Sequence, residues 1–421
     1  MKTIQNETFD QERALYGSEQ LAAVHCRFDG PSDGESAFKE CRDIQATDCF
    51  FNLRYPFWHD EGLKITNCEM TPACRAALWY SDGIEITDSR LHGIKALREC
   101  GSVKMSGCDV ISPEFGWFTR GMEMTDCDVQ SEYFMMRSDH LHFTNVRLKG
   151  KYSFQYIQDS QFDGCILDTK DAFWHAKNVT VRNSLVKGEY LAWYCENVTF
   201  ENCKIIGTQP LCCCKGLTLI NCEMEGTDLC FEKSEVEATV TTPVISIKNP
   251  LAGYIRVPAV GELIRDGAQF RAAVITGECG DGDAARRILQ SQDYTCVLCG
   301  KEAVHTTRLR GIRPLLRWLD QGIDLRGFSA ADKVVGKATA FLYCLLGISA
   351  VYGQIMSRSA LEVLRAHGIQ AEYGDLAEFI VNRQGNGICP FEAAVLSVQD
   401  PREALTVIRE KMEQMDRHSH D

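Results

Sequence analysis

The sequence predicts an all-β right-handed parallel β-helix of about 19 residues per rung, followed by a separate α/β domain. Three observations carry this: a repeat of constant length, a two-residue apolar alternation around each repeat anchor, and a change of periodicity near residue 285.

The repeat aligns on a small residue, at Cys49, Cys68, Ser89, Cys108, Cys127, Val146, Cys165, Ser184, Cys203 and Cys222, spaced by 19 except for one step of 21. Before each anchor the chain alternates apolar and polar residues, as in Leu63-Lys64-Ile65-Thr66, which is the pattern of a strand with one buried face. The residue preceding the anchor is Asn, Asp or Gly (Asn67, Asp88, Gly107, Asn202), a type that tolerates left-handed backbone angles and makes corners. About nine residues beyond each anchor lies a second apolar cluster, such as Phe57-Trp58 or Phe173-Trp174. A strand-only repeat of this length is a coil of parallel strands, in which the anchor cysteines stack as small inward residues.

Composition bounds the rest. A net charge of −13 argues against a partner that is duplex nucleic acid, which needs a basic surface. No apolar stretch is long enough to span a bilayer and the N-terminus has no apolar signal region, so a cytoplasmic protein is expected. Twenty-one cysteines, an odd number in a long chain, fit a reducing compartment better than a disulfide scaffold. Adjacent strand residues such as Cys212, Cys213 and Cys214 face opposite ways and cannot converge on one metal ion.

Several stretches of the first half (QERALYG at 11–17, GESAFKE at 34–40, DAFWH at 171–175, GEYLAW at 188–193 and VGELI at 260–264) resemble an uncharacterised bacterial family of pectate-lyase-like right-handed β-helix proteins. The resemblance covers about residues 5–270 and implies the fold without an activity. The Asp, His, Arg and Lys sets of pectin-cleaving β-helices have no equivalent in the repeats. A column of tryptophans, Trp58, Trp117, Trp174 and Trp193, follows the inward column that includes Phe57, Met135, Phe154 and Phe173. If it faces outward, Trp117, Trp174, Trp193 and the neighbouring His175, with Asp60 nearby, form a carbohydrate-binding platform. If the register slips by one, it is packing.

The predicted domains are 1–270 for the capped β-helix, 271–284 for a linker and 285–421 for the α/β domain. In the last, Tyr294–Cys299 and Glu302–Thr307 read as a hairpin, Ile312–Leu319 as a helix, Gly327–Ala331 as a strand and Asp332–Leu346 as a long buried helix. Strands near Val351 and Gln370 alternate with helices at Ser357–Ala366, Pro390–Leu396 and Pro401–Met412, which is α/β layering. The segments ADKVVGKA at 331–338, Tyr373-Gly374, Asn382-Arg383 and GICPFE at 387–392 resemble a second uncharacterised family, one with a cytidine-deaminase-like fold, over about residues 285–415.

A zinc deaminase needs three metal ligands and a glutamate at two helix starts. Here those starts carry Asp332-Lys333 and Cys389-Pro-Phe-Glu392, so no metal and no cofactor are expected. The remaining constellation is Asp332, Lys333, Asn382, Arg383, Cys389 and Glu392. Helix starts favour anions and can activate a thiol, which points to a nucleotide-like ligand bound by Asn382, Arg383 and Glu392. The expected function is a binding or scaffold β-helix fused to a nucleotide-sensing domain. The alternatives are an enzyme acting through Cys389, Asp332 and Lys333 on a nucleotide or ADP-ribose-like substrate, and a carbohydrate-binding or carbohydrate-active β-helix.

Overall fold

The computed structural model describes residues 1–30, 36–277, 280–300, 303–382 and 384–417. It divides the chain into two units, Met1–Leu251 with Val257–Phe270, and Ala252–Arg256 with Arg271–Asp421.

In the first unit each rung begins with a strand of mostly six residues, of which two alternate side chains point inward. In Lys177–Arg182, for example, Val179 and Val181 are buried while Lys177, Asn178 and Arg182 are exposed. These strands stack parallel and in register, Phe162 opposite Val181 and Val181 opposite Phe200. Every rung thereby satisfies the backbone of the next, and a parallel β-helix results.

The corner after the long strand is left-handed throughout: φ is 50° at Asn67, 51° at Asp88, 62° at Gly107 and 52° at Asn202. The corner side chains also bond along the stack, Asn221 Nδ2 to Asn202 Oδ1 at 2.9 Å and Asn145 Nδ2 to Asp126 Oδ1 at 3.1 Å. Beyond the corner a shorter strand forms the second side. The third side is a two-residue strand in the early rungs, at Phe38–Lys39, Phe57–Trp58, Leu78–Trp79 and Leu97–Arg98, and later a turn.

The anchor cysteines are packed as predicted. Cys49, Cys68, Cys108, Cys127, Cys165, Cys203 and Cys222 are all buried. Each also ties rungs together: Cys203 Sγ lies 3.3 Å from the Glu201 carbonyl of its own rung and 3.3 Å from Val181 O of the rung before. A second inward column of small residues runs through Cys41, Ser81, Cys100 and Cys195, and Asp60 belongs to it. The expectation that Asp60 faces outward beside the tryptophans is therefore corrected, because its place in the rung is that of an inward small residue.

The second unit contains α1 (Asp281–Ser291), β1 (Cys296–Cys299), β2 (Val304–Thr307), α2 (Arg313–Asp320), β3 (Ser329–Val335), α3 (Lys337–Leu346), β4 (Ala350–Ser357), α4 (Arg358–Ala366), β5 (Gln370–Ala377), α5 (Pro390–Ala394) and α6 (Pro401–Arg417). The sheet order is β2-β1-β3-β4-β5, with β1 antiparallel to both neighbours and β3, β4 and β5 parallel. Cys296 and Cys299 lie on opposite faces of β1, one in the core with Phe341 and Leu342, the other with Ile288 and Tyr294.

Two boundaries differ from the sequence reading. Residues 252–256 belong to the second unit, where they pair parallel with Ala273–Ile275 and bury Tyr254 beside Ile275 and Ile288. The segment predicted as a linker thus carries a strand and the start of α1. Its small polar residues mark a helix entry, with Asp281 and Asp283 in the first turn where the helix dipole favours acids.

Candidate functional site in the C-terminal domain

β3 runs four residues past its predicted end. Val334 and Val335 are β-branched and keep the chain extended, and the helix starts only after Gly336, whose φ of −96° and ψ of 173° make it an extended N-cap. Asp332 and Lys333 therefore sit on a strand, opposite Cys296 on one side and Gly353 on the other for Asp332, and not at a helix start. This corrects the helix predicted over Asp332–Leu346.

The displacement still leaves both residues at one cavity of about 1310 Å³, which Asn382, Cys389 and Glu392 also line. Five of the predicted residues, from β3, the loop after β5 and α5, are thus brought together. Arg383 lies outside the described residues.

Asp332 is half-buried at the cavity wall. Its Oδ1 accepts the Val334 N–H at 3.0 Å and its Oδ2 the Tyr343 hydroxyl at 2.7 Å, and Cys296 Sγ lies 3.3 Å from that hydroxyl. Burial pushes the Asp332 carboxyl up to about 6, against the lowering effect of these hydrogen bonds. The same burial raises the Tyr343 phenol and the Cys296 thiol, so both stay protonated and able to donate. A carboxyl held near 6 exchanges its proton close to neutral pH, the range useful for acid–base work.

The other predicted residues have distinct roles. Asn382 Nδ2 donates to Asn386 Oδ1 at 2.8 Å and its Oδ1 accepts the Asn386 N–H at 3.2 Å, which closes the loop bordering the cavity. Cys389 is the partly exposed N-cap of α5, its N–H given to Ile380 O at 2.7 Å, with Pro390 beginning the helix. Glu392 is buried, and its Oε1 accepts the Ser359 hydroxyl at 3.0 Å. Ser359 in turn lies 3.1 Å from the hydroxyl of Ser357, the N-cap of α4.

The cavity also has a cationic side that the sequence reading missed. Arg308, Arg310 and Arg313 line it within six residues, together with the apolar side chains of Ile380, Phe391, Met412 and Met415. Arg308 lies over the Tyr294 ring at 4.5 Å, and Arg313 pairs with Asp416 at 2.5 Å. The signal was present in the sequence as three arginines around Gly311, a turn that opens the uncapped N-terminus of α2.

The donor set does not fit a zinc centre. The helix starts offer one thiol, Cys389, and one carboxylate, Glu392, and among the described residues no three His, Cys, Asp or Glu side chains come together as ligands.

In the first unit, Trp117, Trp174 and Trp193 are half-buried on one flank. Each indole N–H is donated to a carbonyl of the next rung, Tyr133 O at 2.8 Å, Tyr190 O at 2.7 Å and Gln209 O at 2.8 Å. Gln155, in the same column, reproduces the bond to Asp171 O at 3.2 Å. Trp174 and Trp193 stack at 5.5 Å. His175 stands between Tyr156 and Tyr194, at 4.8 and 5.1 Å, in a parallel pile of rings. The polar atoms of the three indoles are thus engaged in holding rungs together.

A family described as a protein of unknown function, DUF3737, matches residues 2–276, and a domain of unknown function, DUF1893, matches residues 284–412. Among curated proteins no relative matches the chain. Of solved structures, a DUF1893 family protein from Thermotoga maritima is 24% identical over 31% of this chain and 87% of that one, with a TM-score of 0.28. The tailspike protein of E. coli bacteriophage HK620, in complex with a hexasaccharide, is 8% identical over 66% of this chain and 63% of that one, with a TM-score of 0.29. The A-module of the Azotobacter vinelandii mannuronan C-5 epimerase AlgE6 is 9% identical over 65% and 85%, with a TM-score of 0.25.

Proposed function

The chain belongs to the DUF3737 family of proteins of unknown function, and from that premise we propose that its β-helix is a scaffold while its C-terminal α/β domain binds a phosphorylated, nucleotide-like ligand. The observation that carries this reading is the convergence of Asp332, Lys333, Asn382, Cys389 and Glu392 on a single cavity. The cavity, at about 1310 Å³, is larger than an ordinary small-molecule site and has room for a nucleotide. Its cationic and apolar linings suit the two ends of such a ligand. Arg308, Arg310 and Lys333 provide donors for phosphate oxygens, with the start of α2 beside them. Ile380, Phe391, Met412 and Met415 provide an apolar bed for a base.

Isothermal titration of the full chain with AMP tests the reading. Saturable binding to one site is expected, weakened about tenfold by Lys333→Ala and again by Arg310→Ala, as loss of a charge-assisted hydrogen bond predicts. Absence of heat at millimolar nucleotide, or variants that bind as the wild type does, would overturn it.

A further inference from the structure

Glu392 carries an unexplained feature. It is 1% exposed, and while its Oε1 is satisfied by Ser359, its Oε2 is buried with no hydrogen-bond partner among the described residues. A buried acceptor left unpaired is costly, and native structures contain few, so each one asks for a missing donor.

The groups around it supply none. Lys337, whose charge lies near Glu392, gives its ammonium to Leu396 O at 2.6 Å. Gly336 has no side chain, and its place is itself informative: a Cβ there would stand 2.2 Å from Glu392 Oε2. Glycine at the N-cap of α3 thus makes the room into which the carboxyl fits. The positive end of a ten-residue helix also favours a carboxylate at that spot. The carboxylate itself repels an anion of the ligand, which is left to the arginines.

The remaining neighbour is the cavity, which Gly336, Ala338, Thr339 and Glu392 all line. We infer that Glu392 Oε2 accepts a hydrogen bond from an O–H or N–H of the bound ligand, so that the cavity selects phosphorylated ligands that also present a donor away from the phosphate itself. This rests on the nucleotide reading above. A carboxylate only accepts, so it rejects a ligand that offers another acceptor or bare carbon there. Two parts of a nucleotide carry such a donor, the exocyclic amine of the base and the hydroxyls of the ribose.

The test titrates the full chain with AMP, purine riboside 5′-monophosphate, 2′-deoxy-AMP and 3′-deoxy-AMP. One of the three analogues is expected to bind the wild type about tenfold or more weakly than AMP, which identifies the donor as amine or hydroxyl. Glu392→Met removes the acceptor and is expected to bind AMP as weakly as that analogue, with the preference gone and the melting temperature of the free protein kept or raised. Glu392→Gln, which keeps one acceptor oxygen without charge, is expected to fall between and serves if the methionine variant does not fold. If all four ligands bind the wild type and Glu392→Met alike, the inference is overturned while the nucleotide reading stands. If none binds the wild type, both fall.

Discussion

Phe154→Ala lowers the stability of the β-helix by about 4 kcal/mol, the cost of deleting a fully enclosed aromatic ring that its surroundings cannot collapse to replace. Phe154 is 0% exposed and touches the rings of Phe134, Phe143, Phe162 and Phe173 at centroid distances of 5.4, 6.1, 4.8 and 4.9 Å. Those partners come from the rung below, its own rung and the rung above, so the loss is felt on both sides. The backbone offers no relief, since φ at Phe154 is 61° and alanine meets the same left-handed strain there. Urea denaturation followed by circular dichroism measures the effect. Phe118→Ala, at an exposed ring on the flank, is the control and stays within about 1 kcal/mol. A Phe154→Ala loss no larger than that of the control would contradict the rung packing described here.

The second large effect runs the other way. Asp60→Ser is expected to stabilise the protein by about 2 kcal/mol at pH 8, with the gain shrinking as pH falls towards 4. Asp60 is 2% exposed and burial pushes its carboxyl from an ordinary 3.8 up to about 7. A carboxyl raised by folding carries no penalty below pH 4, where it is protonated in both states. The wild type then loses stability as pH climbs from 4 through 7, and keeps the full deficit above that. Serine suits the position, because Ser81 holds it one rung on and accepts the Asp60 N–H at 3.0 Å, just as Asp60 Oδ1 accepts the Cys41 N–H at 2.8 Å. What serine gives up is the Trp58 N–H bond at 3.1 Å. Denaturation midpoints at pH 4.5 and pH 8 read the difference, and a gain that does not grow with pH would show that folding does not raise the Asp60 carboxyl.

Much of the β-helix was legible because its signals are local and repeated. An alternating strand, an Asn or Asp that accepts left-handed angles and a small inward residue recur at one spacing, and the corners at Asn67, Asp126 and Asn202 adopt the predicted conformation. The third side was not legible. There Phe154, Phe173 and Leu211 take left-handed angles, at φ of 61°, 60° and 67°, although large hydrophobic side chains announce no such corner. The tryptophan column is ambiguous in sequence for a related reason: its indoles are half-buried, with N–H groups bonded to the next rung. Asp60 is polar, but its register in the rung is that of an inward small residue, and register decides its side.

In the C-terminal domain, motif spacing identified residues that do share a cavity, but it assigned Asp332 to the wrong element. Val334 and Val335 were the correction in plain view, two β-branched residues that extend the strand to Gly336. The roles of Tyr343 and Ser359 were invisible, since a buried tyrosine 11 residues from Asp332 and a serine 33 residues from Glu392 meet them only through the fold.

Hydrogen exchange on the full chain with and without AMP tests the central claim most directly, because it reports where a ligand acts without prior choice of site. Protection is predicted at residues 308–313, 332–339 and 389–392, with the flank of the β-helix around Trp174 and Trp193 unchanged. Protection confined to that flank, or none at all, would contradict the assignment of ligand binding to the C-terminal cavity.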